Sequence, residues 1–391
     1  MGVERDFGAG RFDRVVKGWC ARGYEGVRDA FVANLRVGDD YGAAVAVYRH
    51  GRCVVDLWGG VANRDDPLPY PEDALEVLFS TSKGLVALCL ASLVESGEMK
   101  LDEPVAAYWP EFAQGGKEAV TVRELASHQA GLPAFENTVT LAELTDWAGC
   151  VGGLAAQEPA WPPGSAHGYH ALTIGYLLGE VIRRAGGMSV GALLGDRFSG
   201  PLGLESWIGL PSALSSRVVR LVEVTPHSEE GAVLVRAEAD PATLTGKVFS
   251  NPAINVDNFD QPLAFSAEIP AVCGVSDARS LAKIYASVVD GPLRQIGDEV
   301  VRSMTRSLVW GPDLVLIDQP TRFGTGFMLS APREPMLGPG SFGHNGRGGS
   351  LAFAHPESGI SYGFVANRMV LGPGPDRRST RLLAAVRDAI G

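Results

Sequence analysis

Near the start of the chain, Ala43-Ala-Val-Ala-Val-Tyr-Arg49 and Arg52-Cys-Val-Val-Asp-Leu-Trp58 are rich in β-branched and aromatic residues and break at His50-Gly51, which predicts a β-hairpin. A second hairpin is predicted near the end, where Gly349-Ser-Leu-Ala-Phe-Ala354 and Ile360-Ser-Tyr-Gly-Phe-Val-Ala366 flank a turn at Pro356-Glu-Ser-Gly359. A helix over roughly Glu25 to Arg36 precedes the first hairpin, and a helical tail from Ser379, read as its N-cap, to Ile390 follows the second. Between them the periodicity changes. Leu85 to Ser96, Val122 to Ser127, Leu172 to Ala185 and Val190 to Arg197 read as helices separated by Gly/Pro loops. Residues 212–270 are polar and weakly periodic, and long loops are predicted there. The simplest layout is a sheet built from both chain ends, 1–78 and 275–391, with a mostly helical lobe, 79–274, inserted between them.

At 391 residues the chain exceeds what one hydrophobic core usually supports, which fits two lobes. With 46% hydrophobic and 20% charged residues, core formation is not in question and disorder is not expected. The net charge of −11, unrelieved by any basic run, argues against nucleic acid or an anionic membrane surface as the main partner. A small, neutral or weakly charged molecule fits better. The five cysteines (Cys20, Cys53, Cys89, Cys150 and Cys273) form no C-x-x-C pair and read as reduced thiols, not as a disulfide frame or a zinc site. No basic leader followed by an apolar run opens the chain, and no apolar run reaches the about 18 residues that a membrane span requires, so a cytoplasmic location is expected.

Candidate chemistry begins at Phe79-Ser-Thr-Ser-Lys83, which opens a nearly all-apolar helix. Residues three apart share a helix face, so Ser80 and Lys83 can bring Oγ and Nζ within hydrogen-bonding reach. A serine hydroxyl needs a neighbouring base to become a nucleophile. Lysine serves as that base only when neutral, and burial together with the positive end of the helix dipole would lower its pKa. A solvated lysine behind a serine cap is the plain alternative, yet a lysine is out of place in so apolar a helix.

With these residues in hand, the chain resembles the serine β-lactamase/transpeptidase-like family, and within it the class C-like carboxylesterases of esterase family VIII. Four segments carry the resemblance, which runs from about residue 25 to the end: the S-x-x-K run at Ser80, Val122-Arg-Glu-Leu-Ala-Ser-His-Gln-Ala-Gly-Leu-Pro133, Trp161-Pro-Pro-Gly-Ser-Ala-His-Gly-Tyr-His-Ala171, and Phe342-Gly-His-Asn-Gly-Arg-Gly-Gly-Ser350. It implies an α/β (α+β) fold with an antiparallel sheet flanked by helices. It also implies a serine acyl-transfer enzyme in which Ser80 is acylated, with Lys83 and Tyr169 as proton-transfer groups. Tyr169-His-Ala171 matches the tyrosine of the family's Tyr-x-Asn element but lacks its asparagine, which puts β-lactam hydrolysis in doubt while leaving ester chemistry intact. The family's Lys-Thr-Gly element is His344-Asn345-Gly346 here, a substrate-binding edge less suited to anions because histidine is at most partly charged near neutral pH. The backbone N–H groups of Ser80 and Arg347 are the expected oxyanion donors.

Two G-x-S-x-G matches, at Ser189 and Ser361, lack the strand-to-helix setting of a nucleophile elbow: Ser189 reads as a helix N-cap and Ser361 as a hairpin residue. His128 and His355 read as structural, and no metal or organic cofactor is implied. Four functions follow in order of preference: a carboxylesterase acting on small-molecule esters, an acyltransferase that passes the acyl group to an alcohol or amine, a β-lactamase or D,D-peptidase, and a catalytically silent binding relative. Oligomeric state is not addressed by any of these residues.

Overall fold

The computed structural model describes residues 16–63, 68–224, 229–370 and 376–391. Nine strands form one antiparallel sheet: β1 (Lys17–Cys20), β2 (Gly42–Arg49), β3 (Arg52–Gly60), β4 (Val309–Pro312), β5 (Pro320–Phe323), β6 (Met328–Leu329), β7 (Phe342–Asn345), β8 (Leu351–His355) and β9 (Ile360–Ala366). Their spatial order is β1-β3-β2-β9-β8-β7-β6-β5-β4. The two predicted hairpins are therefore neighbours, joined where β9 pairs with β2 from Ile360↔Arg49 to Ala366↔Ala43.

Both faces of this sheet are covered, which is why its central strands read as near-continuous hydrophobic runs; all seven residues of β9 are buried. On one face Val45, Val47, Phe353 and Phe364 pack against α1 (Glu25–Arg36) and the C-terminal helix through Phe31, Leu35, Leu382 and Val386. On the other face the strands present smaller residues, Ala46, Ala352 and Ala354, toward the helical side. Small residues there let helices approach closely: a Cβ at Gly363 would lie 2.2 Å from the Ala278 carbonyl, at the start of the helix Ala278–Tyr285.

The central helix α2 (Ser82–Glu95) is buried at every position from Ser82 to Leu93, as its nearly all-apolar sequence demands. Around it lie α3 (Val122–Ala126), α4 (Thr173–Gly186) and α5 (Val190–Leu194), close to the predicted helices. The 212–270 region departs from expectation. It contains α6 (Glu229–Glu238), α7 (Leu244–Phe249) and two further four-residue helices, Val256–Phe259 and Pro262–Phe265. Side-chain caps at Thr243 and Asn255 start two of these helices, each too short for amphipathic periodicity to reveal it. Beyond this region come α8 (Ala278–Tyr285) and, at the end of the chain, the C-terminal helix α9 (Arg377–Ile390). The N-cap of α9 is Asp376, not Ser379: its carboxylate accepts from the Arg378 N–H at 2.8 Å, while Ser379 is buried inside the first turn. All five cysteines are free, and among the described residues no helix is long and apolar enough to cross a membrane.

One buried ion pair ties the two chain ends together. Arg378, 1% exposed, donates to Asp40 (0% exposed) at 2.8 Å and to the Gly348 and Arg368 carbonyls. Arg378→Ala would strand a carboxylate in the interior, so it should destabilise the protein by about 3–5 kcal/mol. Urea unfolding measures this, and a loss below about 1 kcal/mol would show the pair to be dispensable.

Candidate active site

The turn that carries Ser80 is held under strain. Phe79 adopts φ 47°, a left-handed conformation that a non-glycine residue avoids, at roughly 1–3 kcal/mol. Its ring is buried edge-to-face against Phe259 at 6.4 Å, and this packing holds the turn in place. The other residues of the motif anchor it. Thr81 Oγ1 lies 2.9 Å from Ser350 Oγ, Ser350 Oγ donates to the Leu78 carbonyl at 2.9 Å, and Ser82 Oγ accepts the Gly274 N–H at 2.9 Å. Ser80 is thereby the motif residue left to face the cleft, where it is partly exposed.

Lys83 is buried directly behind it. Its Nζ is 3.1 Å from Ser80 Oγ, 2.7 Å from the Ala171 carbonyl and 3.0 Å from the Ala271 carbonyl. Burial drives its pKa well below the usual lysine range. The sequence anticipated this direction, but the two carbonyls come from segments 88 and 188 residues away, which no local pattern discloses.

Tyr169 stands over this pair, its ring centroid 4.9 Å from Lys83 Nζ. Burial raises the phenol pKa, and an interaction with Ser80 acts in the opposite direction. Several residues outside the predicted site set the loop. Asp313, fully buried, accepts the N–H of Tyr169 at 2.9 Å, of Val315 at 2.9 Å and of Leu316 at 3.1 Å, and takes the Thr321 hydroxyl at 3.0 Å. His128 packs its ring 5.1 Å from that of Tyr169, and its Nδ1 accepts the His170 N–H at 3.1 Å. His128, read from the sequence as structural at a helix-to-loop turn, thus lies beside the Tyr169 ring. Asp313 follows Gly311-Pro312, a turn signal in the sequence, but its partner lies 144 residues away. Ala171, where the family's asparagine would stand, is buried and contributes its carbonyl alone.

The end of β7 forms the facing wall. Met328 and Leu329 pair only with Gly343 and Phe342, so from His344 onward that edge of β7 is free of β6. Gly346 passes so close to the serine turn that a Cβ would lie 2.2 Å from the Leu78 carbonyl, and no other residue fits. His344 is 1% exposed, with its ring 6.1 Å from Tyr169. Its Nδ1 donates to the Asn345 carbonyl at 2.7 Å, which leaves Nε2 as a bare acceptor with no partner among the described residues. Burial, with the nearby Lys83, lowers its pKa to about 3, so His344 is neutral at physiological pH. His355 lies at the far end of β8, bonded to Ser358 at 2.7 Å and away from the cleft.

These elements border a cleft of about 510 Å³ that reaches Ser80 and Tyr169. Leu234 and Val235 of α6, Phe249 of α7 and Leu316 supply apolar wall, so the region first read as loops lines the cleft with helices. Asn345 and Glu334 also line it, and burial pushes the Glu334 carboxyl up to about 8. Charged side chains line the same cleft, among them Arg322, Arg333 and Asp376. Of the two decoys, Ser189 caps α5 through the Ala192 N–H and donates to Glu268 at 2.6 Å, and Ser361 is buried in β9. Among the described residues no group of three or more His, Cys, Asp or Glu side chains is placed to hold a metal ion.

The sequence matches the Beta-lactamase family over residues 29–387. It is 33% identical over 339 residues to the esterase/beta-lactamase LipL of Mycobacterium tuberculosis (strain ATCC 25618 / H37Rv), covering 84% of this chain and 77% of that protein. It is also 32% identical over 183 residues to the esterase EstB of Burkholderia gladioli, across 42% of this chain and 46% of EstB. Among solved structures, a family VIII carboxylesterase superposes with a TM-score of 0.87 at 33% identity, covering 96% of this chain and 99% of that one. A penicillin-binding protein homologue from Caulobacter crescentus superposes with a TM-score of 0.83 at 36% identity and the same coverage. The chain belongs to the beta-lactamase family and is one of its carboxylesterase-like hydrolases.

Proposed function

We propose that the protein is a serine carboxylesterase that cleaves small, uncharged esters through an acyl-Ser80 intermediate. The observation that carries this reading is the contact set of Lys83 Nζ. A neutral amine has two N–H bonds and one lone pair. Two carbonyls, of Ala171 and Ala271, can take the two N–H bonds, which turns the lone pair toward Ser80 Oγ at 3.1 Å. Lys83 then accepts the serine proton as Oγ attacks the ester carbonyl. The resulting oxyanion is received by the N–H groups of Ser80 and Arg347, at the serine turn and the open end of β7. As the tetrahedral species collapses, Tyr169 delivers a proton to the departing alkoxide, regaining one through Lys83. In the second half-reaction a water loses its proton to the same network and attacks the acyl carbonyl, and Ser80 leaves with its proton restored.

His344, held neutral by burial, supplies no fixed charge where the family's lysine would, which favours an uncharged ester over a carboxylate-bearing β-lactam or peptide. Ala171, lacking a side-chain amide, points the same way. Whether water or another acceptor resolves the acyl-enzyme is read directly from product partition. Rapid release of free acid, unchanged by added alcohols or amines, is the expected result. A stable acyl-protein that turns over only with a particular acceptor would replace the esterase by a transferase.

Ser80→Ala should lower ester turnover by roughly three or more powers of ten and abolish the acyl adduct detected by mass, with the fold retained. Ser189→Ala should keep most activity, its hydroxyl being engaged in a helix cap. An inactive Ser189→Ala beside an active Ser80→Ala would refute the assignment.

The acid limb of the rate profile should follow loss of the Lys83 proton: activity rises with pH as the amine becomes neutral, at a pH below the ordinary lysine range. Lys83→Arg, permanently charged, should be inactive throughout. His344→Gln should leave the limb in place, because His344 is already neutral above about pH 3. A limb that moves with His344→Gln would assign the titration to the wrong group.

A further inference from the structure

The loop after β7 is tied down by backbone hydrogen bonds on both sides of Arg347, the expected oxyanion donor. Gly346 N–H donates to the Ser350 carbonyl at 2.7 Å, and Gly349 N–H to the Gly346 carbonyl at 3.0 Å. The Gly348 carbonyl receives the Val370 N–H at 3.2 Å and the Arg378 guanidinium at 2.5 Å. Arg347 is held instead through its side chain. Its two terminal nitrogens meet the two oxygens of Glu238 at 3.0 and 3.1 Å, and a second carboxylate, Glu223, lies 3.6 Å away. Both partners are largely out of solvent, at 17% and 10% side-chain exposure. A two-point Arg–carboxylate contact fixes direction as well as distance.

Glu238 is the last residue of α6, where a carboxylate meets the negative end of the helix dipole. That placement is unfavourable unless a cation offsets it, and Arg347 does so across 109 residues of chain. One turn earlier on the same helix face, Leu234 lines the cleft that reaches Ser80, as does Val235. The ion pair therefore couples the apolar wall of the cleft to the loop bearing the oxyanion donor.

We propose that Glu238 is a positioning residue for acylation: by clamping the Arg347 side chain it aims the Arg347 N–H at the developing oxyanion and holds α6 against the cleft. This rests on the acyl-Ser80 reading above. Arg347→Ala separates side chain from amide, since it removes the clamp but keeps the N–H. Glu238→Ala and Arg347→Ala should each slow acylation by about 10- to 100-fold, short of the 10²–10³-fold typical when an oxyanion donor is deleted outright. The ester concentration that half-saturates the burst rate should stay within about threefold, because the donor acts on the transition state and not on the bound ester. The double variant should be no slower than the worse single one, as expected of one shared interaction. Glu238→Gln, which keeps shape and one acceptor, should fall between wild type and Glu238→Ala.

The measurement is the burst of acyl-Ser80 with an activated acetyl ester, followed by rapid quench and intact mass, with urea midpoints recorded for each variant. Wild-type burst rates in Glu238→Ala and Arg347→Ala, or losses that multiply in the double variant, would overturn the positioning role while leaving the nucleophile assignment intact. A wild-type enzyme that acquires no adduct on Ser80 would instead overturn the acyl-enzyme reading, and the positioning role with it.

Discussion

A primary amine inside an apolar core is the constraint on which the site depends. Protonated and unpaired there, it would be penalised by several kcal/mol, so it is accommodated chiefly in its neutral form. Among the described residues Lys83 has no carboxylate partner shifting its proton affinity; burial accounts for the depression. Its hydrogen-bonding needs are met by Ala171 and Ala271, whose segments must both arrive beside α2. The same requirement accounts for the packing of the loop before α4 and of residues 269–273 against that helix. Ser80 Oγ, 3.1 Å from Nζ, is the third polar contact of this buried amine.

Such an arrangement tolerates little positional error, and the surrounding hydrogen bonds act accordingly. Thr81 and Ser350 join the serine turn to the loop after β7, Ser82 joins it to Gly274, and Gly346 closes the gap where any side chain would collide. Asp313 performs the equivalent task for Tyr169 by receiving three backbone amides and a hydroxyl. Thr81, Ser82 and Asp313 are not among the residues that line the cleft. They convert the rigidity of the sheet and of α2 into fixed distances among Ser80, Lys83, Tyr169 and the open edge of β7.

Two departures from the family pattern change the electrostatic character of the cleft without disturbing this frame. A histidine in place of the usual lysine is held neutral by burial and by its own Nδ1–H···O=C bond. An alanine in place of the usual asparagine keeps the carbonyl that Lys83 requires while removing a polar side chain. Together they remove a fixed charge and a side-chain amide from the neighbourhood of Ser80, in a cleft lined both by apolar side chains of α6 and α7 and by arginines such as Arg322 and Arg333.

Much of this was legible in the sequence because it is local. The helix Glu25–Arg36, both hairpins and the buried α2 follow from periodicity, and Ser80 and Lys83 meet because residues three apart share a helix face. The order of the four motif segments sufficed to nominate Tyr169 and the end of β7. The short helices of 212–270 were not legible, since elements of four to ten residues are stabilised by tertiary contacts more than by their own pattern. Nor were Asp313, the carbonyls on Lys83, or the Glu238–Arg347 pair. Each acts through partners about 90 to 190 residues distant in sequence. Sequence alone therefore determined which groups could carry the chemistry. Tertiary structure alone decided their protonation and aim, because both depend on burial and on backbone atoms that every residue possesses and no residue type announces.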